Sequence, residues 1–258
     1  MVSSGTGAVT NATYEISTVA SGNLTLSSAP GDGNCTFRIE RAPKVYDPSA
    51  NTLALWVATT GDVPTGCPLV CTYRDRLVLA GAKDNPHLWY MSRQGDALDF
   101  DTSQTDSQTA VAGNNVDAGQ VGEPIYAIIS HSDDYLVFGS ANSLWICEGD
   151  PAFGGQIGAL SYKIGMVDKQ AWCKGPNSEL IFLSRDGMYM MPKGVAEPQS
   201  ISREKLPREL RDISNDVFNV TMAYDVKDRG IHLYLSNANT QTNTHWWFSW
   251  ETKTFWPI

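Results

Sequence analysis

The residues that could do chemistry are few and scattered. The four histidines, His87, His131, His232 and His245, stand at no spacing that would set two of them on one metal ion. Ser130-His131-Ser132-Asp133-Asp134 places an imidazole beside two carboxylates, the makings of an acid–base pair. It lies just before the strand-like run "YLVFGS", where a turn held by side-chain to backbone hydrogen bonds is the expected role. Cys67 and Cys71 flank "PLV", but no second Cys or His pair completes a zinc finger. With Cys35, Cys147 and Cys173 they make an odd, irregularly spaced set, expected to be buried free thiols rather than a disulfide framework. The Gly-rich "PGDGN" (30–34) and "AFGGQIG" (152–158) lack the Lys-Ser/Thr ending of a phosphate loop. Asp96, Asp99, Asp101 and Asp106 are dense enough to suggest calcium but lack the Gly-spaced loop that would hold it. "SRDGMYM" (184–190) loosely resembles the Asp-box turn of sialidase-like propellers, with the wrong spacing and no closing Trp. No catalytic, cofactor-binding or metal-ligating residue is therefore expected, and the chain is not expected to be an enzyme.

The composition agrees with a packed domain. The 258 residues suffice for one large all-β domain or two small ones, and 8 Trp, 10 Tyr and 8 Phe require burial, stacking or an interface. The formal charge is −9. A surface that grips nucleic acid needs the opposite sign, and the nearest basic group, Arg203, Lys205, Arg208 and Arg211, is interleaved with carboxylates. An acidic wall suits DNA that must pass without sticking. The N-terminus has no basic and apolar signal region, and no apolar run reaches the roughly 18–20 residues of a membrane helix. The Asn-x-Thr patterns at Asn11, Asn23, Asn34 and Asn219 are accordingly read as chance matches.

The positioning elements are strands. Short runs rich in β-branched and aromatic residues alternate with Gly, Asn, Asp, Ser and Pro. In "GIHLYLS", Ile231, Leu233 and Leu235 share one face and His232 and Tyr234 the other. The best helix candidate is 202–214, interrupted by Pro207 and so expected to give a turn or two. Four segments share one grammar, an apolar strand, a polar connection and an aromatic strand: "DRLVLAG" with "HLWYMS", "DYLVFGS" with "SLWICEG", "SELIFLS" with "GMYMMPKG", and "RGIHLYLS" with "THWWFSW". Their anchors Leu77, Leu136, Ile181 and Leu233 recur at about 45–60 residues, the period of propeller blades. The fold class expected is all-β, a β-propeller-like array of small antiparallel sheets with little helix. Trp89, Trp145, Tyr189 and Trp246 are assigned to packing between blades. The expected domains are an N-terminal β region or partial blade (1–64) and blades over 65–258, with a long polar inter-blade loop at 101–124.

Three stretches together resemble the blades of tail nozzle and hub proteins of short-tailed bacteriophages, the packaged-DNA stabilisation proteins among them. The first carries Pro64, Gly66 and Pro68, then Arg74, Arg76 and Leu77, then Trp89, Gly95, Asp96 and Phe100. The second runs from "DDYLVFGS" through Trp145 to Gly149-Asp150-Pro151. The third runs from "MAYD" to the terminal "FWP". The resemblance spans roughly residues 40–258. It implies a structural virion protein, made in the host bacterial cytoplasm and located in the tail. Such proteins form a homo-oligomeric ring, typically of six, between tail adaptor or portal-proximal proteins and tail tip proteins. The ring extends the channel for double-stranded DNA, without sequence-specific binding, and retains the genome until ejection. The final aromatic run reads as the middle of a blade, so the C-terminal edge is expected to be incomplete, with Trp246, Trp247, Trp250, Phe255 and Trp256 available to pair in trans. A carbohydrate- or receptor-binding propeller of a tail fibre is the alternative, and a propeller hydrolase using Asp133 or Asp134 a third.

Overall fold

The computed structural model describes residues 2–7, 16–20, 23–26, 28, 33–37, 44–58, 60–202, 205–211, 213 and 217–258. They fall into two compact units, Met1–Trp56 and Val57–Ile258. In the first unit, strands β1 (Val2–Gly7), β2 (Ile16–Ala20), β3 (Asn23–Leu26), β4 (Gly33–Phe37), β5 (Lys44–Asp47) and β6 (Thr52–Leu55) pair as antiparallel ribbons: β1 with β4, β2 with β3, β5 with β6. The boundary falls before the expected residue 64. The cause is a short parallel ribbon in which β7 (Thr60–Gly61) joins β11 (Asp99–Phe100), tying the segment after Val57 to the second unit.

The second unit is all-β and propeller-like. Four four-stranded antiparallel meanders follow one another along the chain. Blade one is β8 (Leu69–Tyr73), β9 (Arg76–Ala82), β10 (Asn85–Met91) and β12 (Val111–Ala112). Blade two is β13 (Ala127–Ser130), β14 (Tyr135–Gly139), β15 (Leu144–Glu148) and β16 (Gln156–Ser161). Blade three is β17 (Trp172–Lys174), β18 (Leu180–Ser184), β19 (Gly187–Met191) and β20 (Gln199–Ser200). Blade four is β21 (Phe218–Asp225), β22 (Gly230–Asn237), β23 (Asn243–Ser249) and β24 (Thr254–Pro257). Each paired segment read from the sequence forms the two central strands of one blade. The expected loop at 101–124 is corrected in part: Val111 and Ala112 pair with Tyr90 and Met91 as the outer strand of blade one, and Ala110, Ala118 and Val121 are buried beside it.

The helix expectation holds in reduced form. Strand β15 leads into a 3-10 turn at Pro151–Phe153, and the α-helix α1 covers Arg208–Arg211. Pro207 opens α1 rather than breaking it, accepting from the Leu210 N–H (3.1 Å), as suits a residue with no N–H of its own.

Period-two alternation explains the order of the blades. On one face of blade two, Ile128, Leu136, Phe138 and Cys147 pack against Val78, Ala80, Trp89 and Met91 of blade one. The other face offers Ile129, Val137 and Leu144 to Leu180, Phe182 and Met191 of blade three. Blade three then turns Ile181, Leu183 and Met188 to Ile231, Leu233 and Phe248 of blade four. The middle blades are covered on both faces, which is why "YLVFG" and "LIFLS" are near-continuous apolar runs.

Polar contacts fix each junction in register. Between blades one and two, Arg76 is 1% exposed. Its Nε donates to Asp150 Oδ2 (3.1 Å), Nη1 to the carbonyls of Thr109 (2.7 Å), Ser92 (2.9 Å) and Gln108 (3.2 Å), and Nη2 to that of Ser107 (3.2 Å). Tyr73 Oη donates to the Gly149 carbonyl beside it (2.8 Å). Between blades two and three, Lys174 Nζ donates to the Ser130 carbonyl (2.9 Å), and His131 Nε2 to that of Pro192 (3.1 Å). Between blades three and four, the Val220 N–H donates to Asp168 Oδ2 (2.7 Å) and the Met222 N–H to the Gln170 carbonyl (3.0 Å).

The first junction gives a contrast between two arginines two residues apart. Removing one partner of a buried pair strands the other charge, so Arg76→Ala should cost about 3–5 kcal/mol. Arg74 pairs with the exposed Asp134 carboxylate, so Arg74→Ala should cost at most about 1 kcal/mol. Equilibrium urea unfolding of both variants checks the ordering.

Candidate functional site

The residues singled out by the resemblance form a framework. Gly66 adopts φ +71° in the approach to β8, Pro64 is half-buried there, and Pro68 borders a cavity between the first strands of the blades. Arg74 and Asp75 form the two-residue turn from β8 to β9, both in the left-handed region (φ 49° and 59°). That is the geometry of a type I′ turn, which usually takes Asn-Gly. Arg74 is held in it by its bonds to the Asp133 carbonyl (2.9 Å) and Asp134 Oδ1 (2.7 Å). The Leu77 N–H donates to Ser92 Oγ (3.0 Å), and the Gly95 N–H to the Asp75 carbonyl (2.8 Å). Asp96 accepts from the Leu98 N–H (2.9 Å), and Phe100 is buried beside Gly61. Trp89 lies 6.2 Å from Phe138 across the first junction, and Trp145 meets Tyr162 edge-on at 5.6 Å. Gly149 (φ +77°), Asp150 and the buried Pro151 end blade two, where Asp150 both receives Arg76 and caps the 3-10 turn through the Ala152 N–H (3.0 Å). Two signatures about seventy residues apart in sequence thus meet in one ion pair.

The acid–base reading of 130–134 is not supported by the geometry. Asp134 pairs with Arg74, and His131 is 2% exposed and turned to Pro192. Burial holds the His131 imidazole below its ordinary value, and Nδ1 has no partner. Burial likewise pushes the thiols up, Cys67 to about 11 and Cys71, Cys147 and Cys173 to about 12, and all four are free. Cys35 lies among residues whose side chains are outside those described. Among the described residues no group of three His, Cys, Asp or Glu side chains could hold a metal ion, and no helix is long and apolar enough to cross a membrane.

Two surfaces among the described residues bear on partners. The first is a cavity of about 350 Å³ bordered by Leu69 and Val70 of β8, Ile128 of β13, Lys169 and Gln170 before β17, and Met222 of β21. The first strands of all four blades therefore face a common axis, β8 beside β13 and β17 beside β21.

The second is the outer face of blade four. The register places Thr221, Ala223 and Asp225 of β21, His232 and Tyr234 of β22, His245 and Trp247 of β23, and Thr254 and Trp256 of β24 on one side. Tyr234 is 42% and Trp256 58% exposed. Tyr234 stacks on His245 with centroids 4.1 Å apart, and Trp247 lies 4.7 Å from His232. Gly230 leaves room for the Trp247 ring, since a Cβ there would overlap Trp247 Cζ2. This arrangement corrects the reading of the C-terminal run. Strand β24 is the fourth strand of its blade, not a middle one. Trp246 and Trp247 lie on β23, which is paired on both sides, and Trp250 is in the following turn. Only Phe255 and Trp256 are on the edge strand, and Phe255 turns inward onto Phe248 at 4.9 Å. The sequence placed His232 on one face of its strand but did not bring it together with His245. The signal was available: both occupy outward positions of one hairpin, which folds a separation of 13 residues into a diagonal neighbour pair.

No family model and no curated protein matches the chain. Among solved structures it is similar to a structural genomics protein of unknown function from Bacteroides thetaiotaomicron VPI-5482, at 10% identity and a TM-score of 0.43, over 93% of this chain. The chain spans 63% of the length of that protein.

Two outcomes are expected. Gly230→Ala should displace the Trp247 ring and cost about 1–3 kcal/mol, read as lost stability and altered Trp247 resonances. His131 is held neutral, with its value in the fold below that of the unfolded chain. Its contribution is therefore complete above about pH 6.5 and declines as pH falls through that value. Melting temperature should drop between pH 7 and pH 5, and His131→Phe should show a shallower drop.

Proposed function

We propose that the chain is a structural subunit of a phage tail hub or nozzle, part of a ring that extends the DNA channel and retains the packaged genome until ejection. The uncovered aromatic face of blade four carries this reading. The outer side of blade four presents the exposed Tyr234 and Trp256 beside the half-buried Trp247, and large aromatics of this kind are enriched where separately folded subunits meet. The resemblance supports it further, because its Arg74, Arg76, Gly149 and Asp150 are framework residues, as a structural role requires. Under this reading the partners are further copies of the chain, six by resemblance, with adaptor or portal-proximal proteins and tail tip proteins on either side. A cavity of about 350 Å³ does not admit a duplex whose major groove alone is about 12 Å wide. The DNA path would lie between subunits, and the net charge of −9 would discourage sticking.

A second reading, a carbohydrate- or receptor-binding propeller of a tail fibre, is favoured by one observation. A cavity of about 290 Å³ on blade one is bordered by Asn85, His87, Asn114 and Gln120 around apolar Leu88 and Val121. Carboxamides both donate and accept, as vicinal hydroxyls require.

Gold-labelled antibody on particles purified from the source separates the readings. A ring of label at the tail vertex is the expected result, accompanied by a ring-sized species of the purified protein in native mass spectrometry. Label on peripheral fibres, with binding on a glycan array, would favour the second reading. Absence of label from every particle would overturn both.

A further inference from the structure

On the outer face of blade four, His232 Nδ1 and His245 Nε2 lie 2.8 Å apart. Their ring centroids are 5.0 Å apart, the separation of two imidazoles joined end to end through that contact, so the two nitrogens point at each other. Such a contact is favourable only while one nitrogen carries a proton and the other is bare. Nitrogens aimed at each other do not converge on a third point, so the pair is arranged to share a proton rather than a metal ion. The far nitrogen of His232 lies 3.5 Å from Asp225 Oδ2. A carboxylate and two imidazoles therefore form a line across β21, β22 and β23. The aromatic row rests on it: Tyr234 is nearly parallel to His245, at 12°, and Trp247 lies against His232.

We propose that the Asp225–His232–His245 line is a proton-operated latch: a proton shared between His232 Nδ1 and His245 Nε2 holds the aromatic row together, and protonation of both rings opens it. The opening takes two protons from water, with no covalent change. The first makes one ring an imidazolium, which still donates across the contact to the bare nitrogen of the other. The second fills that nitrogen, two imidazolium N–H groups face each other at hydrogen-bond distance, and repulsion drives the rings apart. The other groups on the face offer little compensation. Asp225 is the carboxylate on β21 and already faces His232, Tyr234 on β22 is a phenol, and Thr254 and Trp256 on β24 are uncharged. Burial and the neighbouring His232 hold the His245 imidazole below its ordinary value, so the latch is closed at neutral pH. Acidification changes the charge and the packing of the face in one event.

The test is a pH titration of the intact protein from 7.5 to 5, following histidine side-chain resonances and tryptophan emission. An imidazolium beside an indole quenches it, so Trp247 reports on the latch, and Trp247→Phe identifies its share of the signal. The expected result is loss of the Tyr234-induced shift on His245 and a fall in Trp247 emission over one shared range of pH. His245→Phe keeps a ring on Tyr234 but cannot share a proton, and His245→Gln keeps a polar side chain should Phe not fold. Either should leave the Tyr234 ring resonances unchanged down to pH 5, since no second imidazolium can form beside His232. Retention of the Tyr234-induced shift on His245 at pH 5 in the wild type, or movement of the Tyr234 resonances in the folded variants as large as in the wild type, would overturn the proposal.

Discussion

A guanidinium with almost no water to solvate it sets the terms for the first two blades. Arg76 can be buried only if its donors are met, and they are met by the Ser107–Thr109 carbonyls, by Ser92, and by Asp150 on the next blade. Those carbonyls belong to the polar segment that leads into β12, so the same cation holds the outer part of blade one and the end of blade two. Tyr73 at the end of β8 and Arg74 in the β8–β9 turn extend the grip to Gly149 and Asp133–Asp134. A planar, always-charged group that meets several acceptors at once suits this position, and a lysine would leave most of them unpaired.

The later junctions use weaker versions of the same device. Aliphatic and aromatic faces supply the driving force for stacking, but apolar contacts are non-directional and would tolerate sliding. One or two directed hydrogen bonds at each junction, from Lys174 and His131 or onto Asp168 and Gln170, remove that freedom. The cost falls on the groups themselves. His131 keeps one nitrogen buried without a partner, and that residual penalty makes its junction sensitive to acid.

The central hairpin of every blade was legible because alternation and turn residues are local properties. What the hairpins joined was not. "VA" at 111–112 is too short and too surrounded by polar residues to read as a strand, and it becomes one only because the Tyr90–Met91 edge is already in place. The Arg74-Asp75 turn lacks the Asn-Gly signature of its geometry, since its conformation is held by contacts to blade two rather than by local preference. Arg76 and Asp150 each belonged to a recognisable pattern, yet nothing local says that one neutralises the other. The His232–His245 pair follows from register, which Gly230 opposite Ser249 and Leu233 opposite Trp246 determine once the hairpin forms.

The ends of a stack face a different requirement from its junctions. Faces inside the array are mostly aliphatic side chains, Met and Phe, and an end face of the same composition would be a large exposed apolar patch, prone to indiscriminate association. Blade four instead alternates Thr, Asp and His with Tyr and Trp on its outer side. Aromatic rings retain large contact area, while the imidazoles, the carboxylate and the hydroxyls keep the surface wettable before a neighbour arrives. If the aromatic row is built on a shared proton, as proposed, the geometry of this face is itself a function of pH.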